Sequence, residues 1–252
     1  MIEVTDLALR RGPNLVVDQL SFGIADGRIL GILGPNGVGK TTLLNALIGT
    51  LRPAAGAVSV AARIGYVPQL FDLAFDYTVS DVVLMGRARQ IGLFGSPGRA
   101  DFEEVARELE RLGIADLADR KFNSLSGGQR QLAIIAQALV SECSVLILDE
   151  PCAALDYRNQ AVVLRLLAQL RAERGLTIVF STHAPQHALD VADDVLLLRG
   201  PGRYDFGPAS DMLTAPRLSE LYGLPVLDAQ FTDNGARTFV PRFLDPTNGP
   251  AS

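Results

Sequence analysis

Tryptophan is absent from the 252 residues, and cysteine occurs only twice. Two thiols, Cys143 and Cys152, cannot build a disulfide scaffold; they fit a reducing compartment and read as small, partly buried side chains. No window approaches 18 consecutive apolar residues, so no membrane-spanning helix is encoded, and any membrane association must run through a partner. A basic excess is missing too. With 23 Lys and Arg against 28 Asp and Glu, the formal net charge of −5 argues against nucleic acid as the principal partner. Met1-Ile2-Glu3-Val4-Thr5-Asp6 lacks the basic and apolar regions of a signal peptide, so the chain is expected on the cytoplasmic side. There is no internal repeat and no low-complexity tract.

What is present is an ordinary globular balance, 48% hydrophobic and 20% charged, at a length that suits one large domain or a core with an inserted subdomain. Apolar, β-branched runs predict strands at 2–9, 15–24, 28–33, 57–60 and 63–67. A helix is expected over about 39–49, with Leu43, Leu44, Leu47 and Ile48 on one face, and a turn at Leu51 to Gly56. Beyond residue 73 the strand signal fades. Thr78 can cap a helix to Arg87, Gly92 to Gly98 reads as a loop, and Phe102, Val105, Ala106, Leu109 and Leu112 form a helical stripe. A further helix is expected over 127–140. The apolar run Val145-Leu146-Ile147-Leu148 then reads as a central parallel strand. It is followed by helix 158–174, strand 176–181, helix 185–193 and strand 194–199. The tail carries a short helix to Gly223 and mixed strand signals. The pattern implies an α/β fold: a core with a mainly parallel sheet, an N-terminal antiparallel β subdomain and an inserted helical subdomain. The expected division is 1–72 and 145–215 for the core, 73–144 for the helices and 216–252 for the tail.

Gly34-Pro35-Asn36-Gly37-Val38-Gly39-Lys40-Thr41 matches G-x-x-x-x-G-K-[ST] and sits between a strand and a helix, as phosphate binding requires. The glycines let backbone N–H groups turn toward phosphate oxygens, and the helix N-terminus adds positive potential. Lys40 would reach the β- and γ-phosphates, and Thr41 would ligate Mg²⁺. Asp149 and Glu150 close the apolar strand at the sheet end where ligands of parallel sheets bind. Asp149 would hold Mg²⁺ through its water shell, and Glu150 would orient or deprotonate the attacking water. Leu125-Ser126-Gly127-Gly128-Gln129 is a second anion-binding device, a Ser-Gly-Gly turn opening a helix.

This set resembles the nucleotide-binding subunit of an ABC transporter over nearly the whole chain, in the family's order and spacing. The phosphate loop resembles its Walker A (with Thr42 following), Val145 to Glu150 its Walker B, and Leu125 to Gln129 its signature motif. Tyr66-Val67-Pro68-Gln69 resembles the Q-loop, Ala154-Leu155-Asp156 the D-loop and Ser181-Thr182-His183 the H-loop. The resemblance implies an ATPase using ATP and Mg²⁺, in which two copies meet head to tail. Ser126 and Gly128 of one copy, with Gly127 and Gln129 beside them, would then touch the γ-phosphate held by the other. It further implies that Gln69 contacts Mg²⁺ or the lytic water, and that His183 bonds the γ-phosphate and helps fix Glu150. Asp156 would work across the dimer interface. It can also cap helix 158–174. His187 is expected at the surface.

Five positions depart from the family's pattern. Arg11 occupies the place where the family stacks an aromatic on adenine; a guanidinium can stack on a base too. Cys152 replaces a usual Thr, Leu132 and Gln137 stand where Arg is common, and Ala184 follows His183 where Asp is frequent. The resemblance also implies an integral-membrane permease dimer as partner and a substrate-binding protein indirectly. The stretch from Gln69 to Gly86, with Phe71, Phe75, Tyr77 and Val79, would be the docking surface. Residues 64–87 and Leu221 to Val226 resemble the metal-chelate importers (iron-siderophore, haem, cobalamin, with a molybdate or tungstate branch). Ser141-Glu142-Cys143 and Gln131-Leu132 lean to the molybdate branch. Zinc or manganese import, and a soluble ABC scaffold of the iron–sulfur assembly type, are the alternatives.

Overall fold

The computed structural model describes residues 1–69, 75–92, 95–233 and 235–243. An antiparallel sheet places β1 (Ile2–Arg11) between β2 (Asn14–Ile24) and β4 (Ala55–Val60). The main sheet contains β3 (Ile29–Leu33), β5 (Ile64–Val67), β6 (Val145–Leu148), β7 (Thr177–Thr182), β8 (Asp194–Gly200) and β9 (Arg203–Pro208). Its order is β5-β6-β7-β3-β8-β9, parallel throughout except for β9. That antiparallel edge strand is absent from the sequence reading, since its residues are at most partly buried and its apolar alternation is only Tyr204 and Phe206, followed by Gly207 and Pro208. The mixed signals of the tail resolve into an antiparallel hairpin, β10 (Val226–Gln230) with β11 (Arg237–Pro241).

Period-two alternation splits the main sheet between two cores. Leu30, Ile32, Val145, Ile147, Leu196 and Leu198 face the antiparallel sheet and α1 (Lys40–Leu47). Ile29, Leu33, Leu146, Leu148, Val195 and Leu197 face the other side. There they meet a helical layer made from α2 (Val79–Leu84), α4 (Arg99–Arg111) and α5 (Gly127–Leu139), and, from further along the chain, α6 (Tyr157–Arg174) and α7 (Pro185–Val191), while the short α3 (Ala88–Ile91) buries no residue. The short α8 (Ala209–Met212) and α9 (Ala215–Tyr222) complete the chain's helices among the described residues.

Thr78 caps α2 in a reciprocal box with Asp81, as its residue type predicts. The helix does not run unbroken to Arg87, however. It tightens into a 3₁₀ turn at Met85–Arg87, where Gly86 passes so close to α5 that a Cβ would lie 2.0 Å from the Gln137 carbonyl oxygen. Arg87 then ties this turn to Asp101 (3.0 Å), Glu142 (2.7 Å) and the Val140 carbonyl (3.2 Å). Glu108 on α4, 1% exposed, takes both its oxygens to Arg174 at the end of α6 (2.7 and 2.8 Å).

Part of the expected docking surface is corrected. Val79 is fully buried and belongs to the core, because the first turn of α2 faces α5 rather than solvent. Phe75 is exposed at 69% and meets the half-buried Tyr77 edge-on, centroids 6.1 Å apart. Phe71 lies outside the described residues.

Candidate active site

The adjacency of β5, β6, β7 and β3 gathers their carboxyl ends, and with them Gln69, Asp149-Glu150, Thr182-His183 and the loop 34–39, on one edge of the sheet. Backbone geometry explains the loop's glycines. At Gly34 a Cβ would sit 2.6 Å from the Leu198 carbonyl oxygen, and Gly39, preceding α1, holds φ +114°. Lys40, 5% exposed, folds back so that its Nζ donates to the carbonyls of Gly34 (2.8 Å) and Pro35 (3.3 Å). The same ammonium stands 3.2 Å from Glu150 Oε1. A buried ammonium needs such compensation, and a polyphosphate would supply more of it.

The carboxylate pair is held by a residue that sequence reasoning did not single out. Ser181 Oγ donates to Asp149 Oδ1 (2.6 Å) and accepts from the Glu150 N–H (2.9 Å). Glu150 itself adopts φ +46°, the left-handed region that a non-glycine side chain occupies at a cost of about 1–3 kcal/mol. Its other oxygen lies 3.0 Å from His183 Nδ1. Glu150 thus bridges Lys40 and His183. Tyr222 from the tail donates its hydroxyl to the His183 carbonyl (2.9 Å); burial, with the Glu150 charge, pushes that phenol's pKa upward. The Tyr66 phenol is likewise raised, by burial first and then by the Asp149 charge. In the sequence Ser181 stands only as part of the H-loop resemblance and Tyr222 only within the segment Leu221 to Val226, and neither carries a role there.

A cleft of about 330 Å³ is lined by Arg11, Val16, Asn36, Gly37, Gly39, Lys40, Thr41, Thr42, Gln69 and Glu150. Arg11 is exposed at its mouth, where a flat ring could lie against the guanidinium. Thr41, Gln69 and Asp149 offer oxygen donors only, the chemistry a hard cation selects. Among the described residues no group of three or more His, Cys, Asp or Glu side chains could hold a metal ion. A Mg²⁺ here would therefore depend on phosphate oxygens and water, as that ion usually does.

The signature residues stand elsewhere. Ser126 and Gln129 form a reciprocal capping box on α5 (3.1 and 3.4 Å). Gly128 lets that helix start against Asn159, whose side chain a Cβ would meet at 2.5 Å. Asp156 caps α6 by accepting from the Asn159 N–H (2.8 Å). Gly127 lines a second cleft, of about 370 Å³, with Gln69, Glu150 and Ala153 to Leu155, and that cleft contains no phosphate-loop residue. Ser126 does not line the cleft around Lys40.

His187 is a correction. It is buried at 9% exposure, wedged between Thr182 and Gln160, because α7 turns this face back onto β7 and α6.

A phosphate loop between strand and helix, with a strand-end carboxylate pair beside it, defines a P-loop nucleotide-hydrolysing domain. The ABC transporter family model matches residues 17–153, more than half of the chain, and the chain belongs to that family. It is 43% identical to the molybdate import ATP-binding protein MolC of Haemophilus influenzae, with 91% of each chain covered. It is 34% identical to a protein of Helicobacter pylori strain 26695 described as an iron chelatin transport ATP-binding protein, covering 93% of this chain and 97% of that one. Among solved structures, a metal-chelate type ABC transporter in an inward-facing conformation superposes with a TM-score of 0.92 at 41% identity, covering 96% of this chain and 97% of the other. The protein is thus an ABC ATPase, which hydrolyses ATP to power transport. ATPases of this family act as dimers and work with a membrane permease.

Proposed function

We propose that this chain is the peripheral ATP-binding subunit of an importer for molybdate or a related metal chelate, acting as a head-to-tail dimer on the cytoplasmic face of a permease dimer. The observation that carries the shared-site part is the separation within one chain of the phosphate cleft from Ser126. A signature serine that caps its own helix and lies outside the cleft around Lys40 is suited to a second copy's nucleotide. The similarity to the molybdate and iron-chelate ATPases supports the cargo class. No helix among the described residues is long and apolar enough to cross a membrane, which fits a peripheral subunit.

In this reading the loop 34–39 and Lys40 hold the β- and γ-phosphates, with Lys40 exchanging its contacts with Gly34 and Pro35 for phosphate oxygens. Thr41, Asp149 and Gln69 would hold Mg²⁺, which would neutralise charge on the phosphates. Glu150 takes a proton from water as the water oxygen bonds to the γ-phosphorus and the bond to the β-bridging oxygen breaks, leaving ADP and phosphate. His183, already against Glu150, keeps that carboxylate aimed and meets the γ-phosphate. Ser126, Gly127, Gly128 and Gln129 of the second copy close the site, with Asp156 at the same interface. Residues 1–72 with 145–215 form the catalytic core and 73–144 the permease-facing unit, in which Phe75 and Phe102 are exposed and Tyr77 half-buried. Residues 216–252 form the tail that buttresses His183 through Tyr222.

The test is a mild-detergent pull-down of tagged Glu150→Gln protein from its native cell with MgATP present. A multispanning permease should co-elute, and vesicles holding that permease with the wild-type chain should accumulate molybdate in preference to ferric chelates. Soluble partners alone would overturn the importer reading in favour of a scaffold. Lys40→Ala, measured in parallel, should abolish turnover.

A further inference from the structure

The buried His187 is the centre of an unbroken hydrogen-bond chain. Thr182 Oγ1 lies 3.0 Å from its Nδ1, and its Nε2 lies 3.2 Å from Gln160 Oε1. The Gln160 amide nitrogen then reaches the Leu155 carbonyl (2.9 Å), with the Cys152 carbonyl at 3.5 Å. Donor and acceptor chemistry gives the chain one direction. Two carbonyls face the Gln160 nitrogen, so that nitrogen is the NH₂ and the oxygen faces His187. His187 Nε2 must therefore carry the proton, which leaves Nδ1 of a neutral ring to accept from the Thr182 hydroxyl. Thr182 Oγ1 in turn accepts from the Ala184 N–H (3.1 Å), on the far side of His183. Burial lowers the imidazole's pKa and agrees with the neutral ring.

Two segments meet through this chain. One is the 182–184 turn, which sets the backbone of His183 and so the ring that contacts Glu150. The other is the 152–155 loop, which runs directly into Asp156. These segments come from different strands of the sheet, and Gln160 and His187 from different helices, so side chains rather than local backbone carry the link.

We propose that His187 and Gln160 are positioning residues for ATP hydrolysis. They hold the 182–184 turn at a fixed distance from the 152–155 loop, so that His183 is aligned on Glu150 only when that loop is in place. The inference rests on the assignment of Glu150 and His183 to hydrolysis. Neither His187 nor Gln160 lines the phosphate cleft, so their loss should act on turnover and spare nucleotide affinity.

Steady-state ATP hydrolysis by the full-length chain, wild type against His187→Leu, Gln160→Met and the double variant, tests it. Each single variant should lower kcat about tenfold while KM for ATP stays within about twofold, since a small misplacement near the reacting groups costs rate rather than binding. The double variant should be no slower than the worse single one, because either substitution cuts the same chain. A folded variant with near-wild-type kcat, or effects that multiply in the double, would overturn the proposal, whatever happens to the melting temperature. If His187→Leu does not fold, the half-buried Gln160→Met carries the same prediction alone. Glu150→Gln is run beside them: wild-type turnover there would sink the site assignment itself, whereas an inactive Glu150→Gln with normal relay variants would sink only the relay.

Discussion

Ser181→Ala removes one hydroxyl and should be felt twice. Ser181 is fully buried, and Asp149 is 2% exposed. The hydroxyl's 2.6 Å bond to Asp149 is charge-assisted, and its 2.9 Å bond from the Glu150 N–H satisfies a backbone donor at a strained φ of +46°. Hydrogen bonds to charged groups contribute about 1.5–3 kcal/mol, and an orphaned buried donor costs about 1–3 kcal/mol more. Some relaxation offsets this, so the expected loss is about 3 kcal/mol, or roughly 6–12 °C in Tm for a chain of this size. Differential scanning calorimetry measures the stability, and a coupled phosphate-release assay measures turnover on the same samples. Turnover should fall as well, because both carboxylates lose their common anchor. A Tm within about 2 °C of wild type, with unchanged kcat, would refute the claim that Ser181 sets the geometry of the pair.

Other outcomes follow from the burial of particular charges and thiols. Arg174→Met leaves Glu108 buried with only the exposed Arg111 at 3.5 Å, and should destabilise the fold by about 3 kcal/mol in urea unfolding, whereas Glu108→Gln with Arg174→Met together should recover part of that loss. The His187 pKa is pushed below its ordinary 6.5 by burial and by His183, with Asp190 opposing. The unfolded state therefore binds more protons there, so this contribution to stability is complete above pH 6.5 and declines as pH falls below it. In His187→Gln the slope of Tm between pH 7 and pH 5.5 (roughly the His window) should be shallower; an identical slope would contradict the assignment. Cys143 and Cys152 are buried with pKa raised, Cys152 to about 12, so neither should react with a maleimide in the native protein at neutral pH, while both should do so in guanidinium.

Much of the architecture was legible because it is local. Gly34 to Thr41 announces its turn through residue types that only a phosphate loop combines. Val145 to Leu148 is apolar at every position because both faces of a central strand are covered, and Thr78 with Asp81 marks the start of α2 within four residues. The interruption at Gly86 was not legible, since the cause is the backbone of α5 passing beside it, far along the chain. The same applies to β9, whose alternation is only Tyr204 and Phe206 and which exists through its partner β8.

By itself the sequence determined the phosphate loop, the acidic strand end, the signature turn and the order of strands and helices, all of them patterns in neighbouring residues. Only the tertiary structure decided which side chains meet across the chain. It buried Val79 against α5 and set Ser181 between the two carboxylates from another strand. It kept Ser126 out of its own phosphate cleft. And it took His187, one of only two histidines, from an expected surface position into a buried chain of hydrogen bonds. The physical reason is that periodicity reports which face of an element is apolar. The partner of a polar side chain within that face is set by sheet order and helix packing, which bring together residues some thirty positions apart.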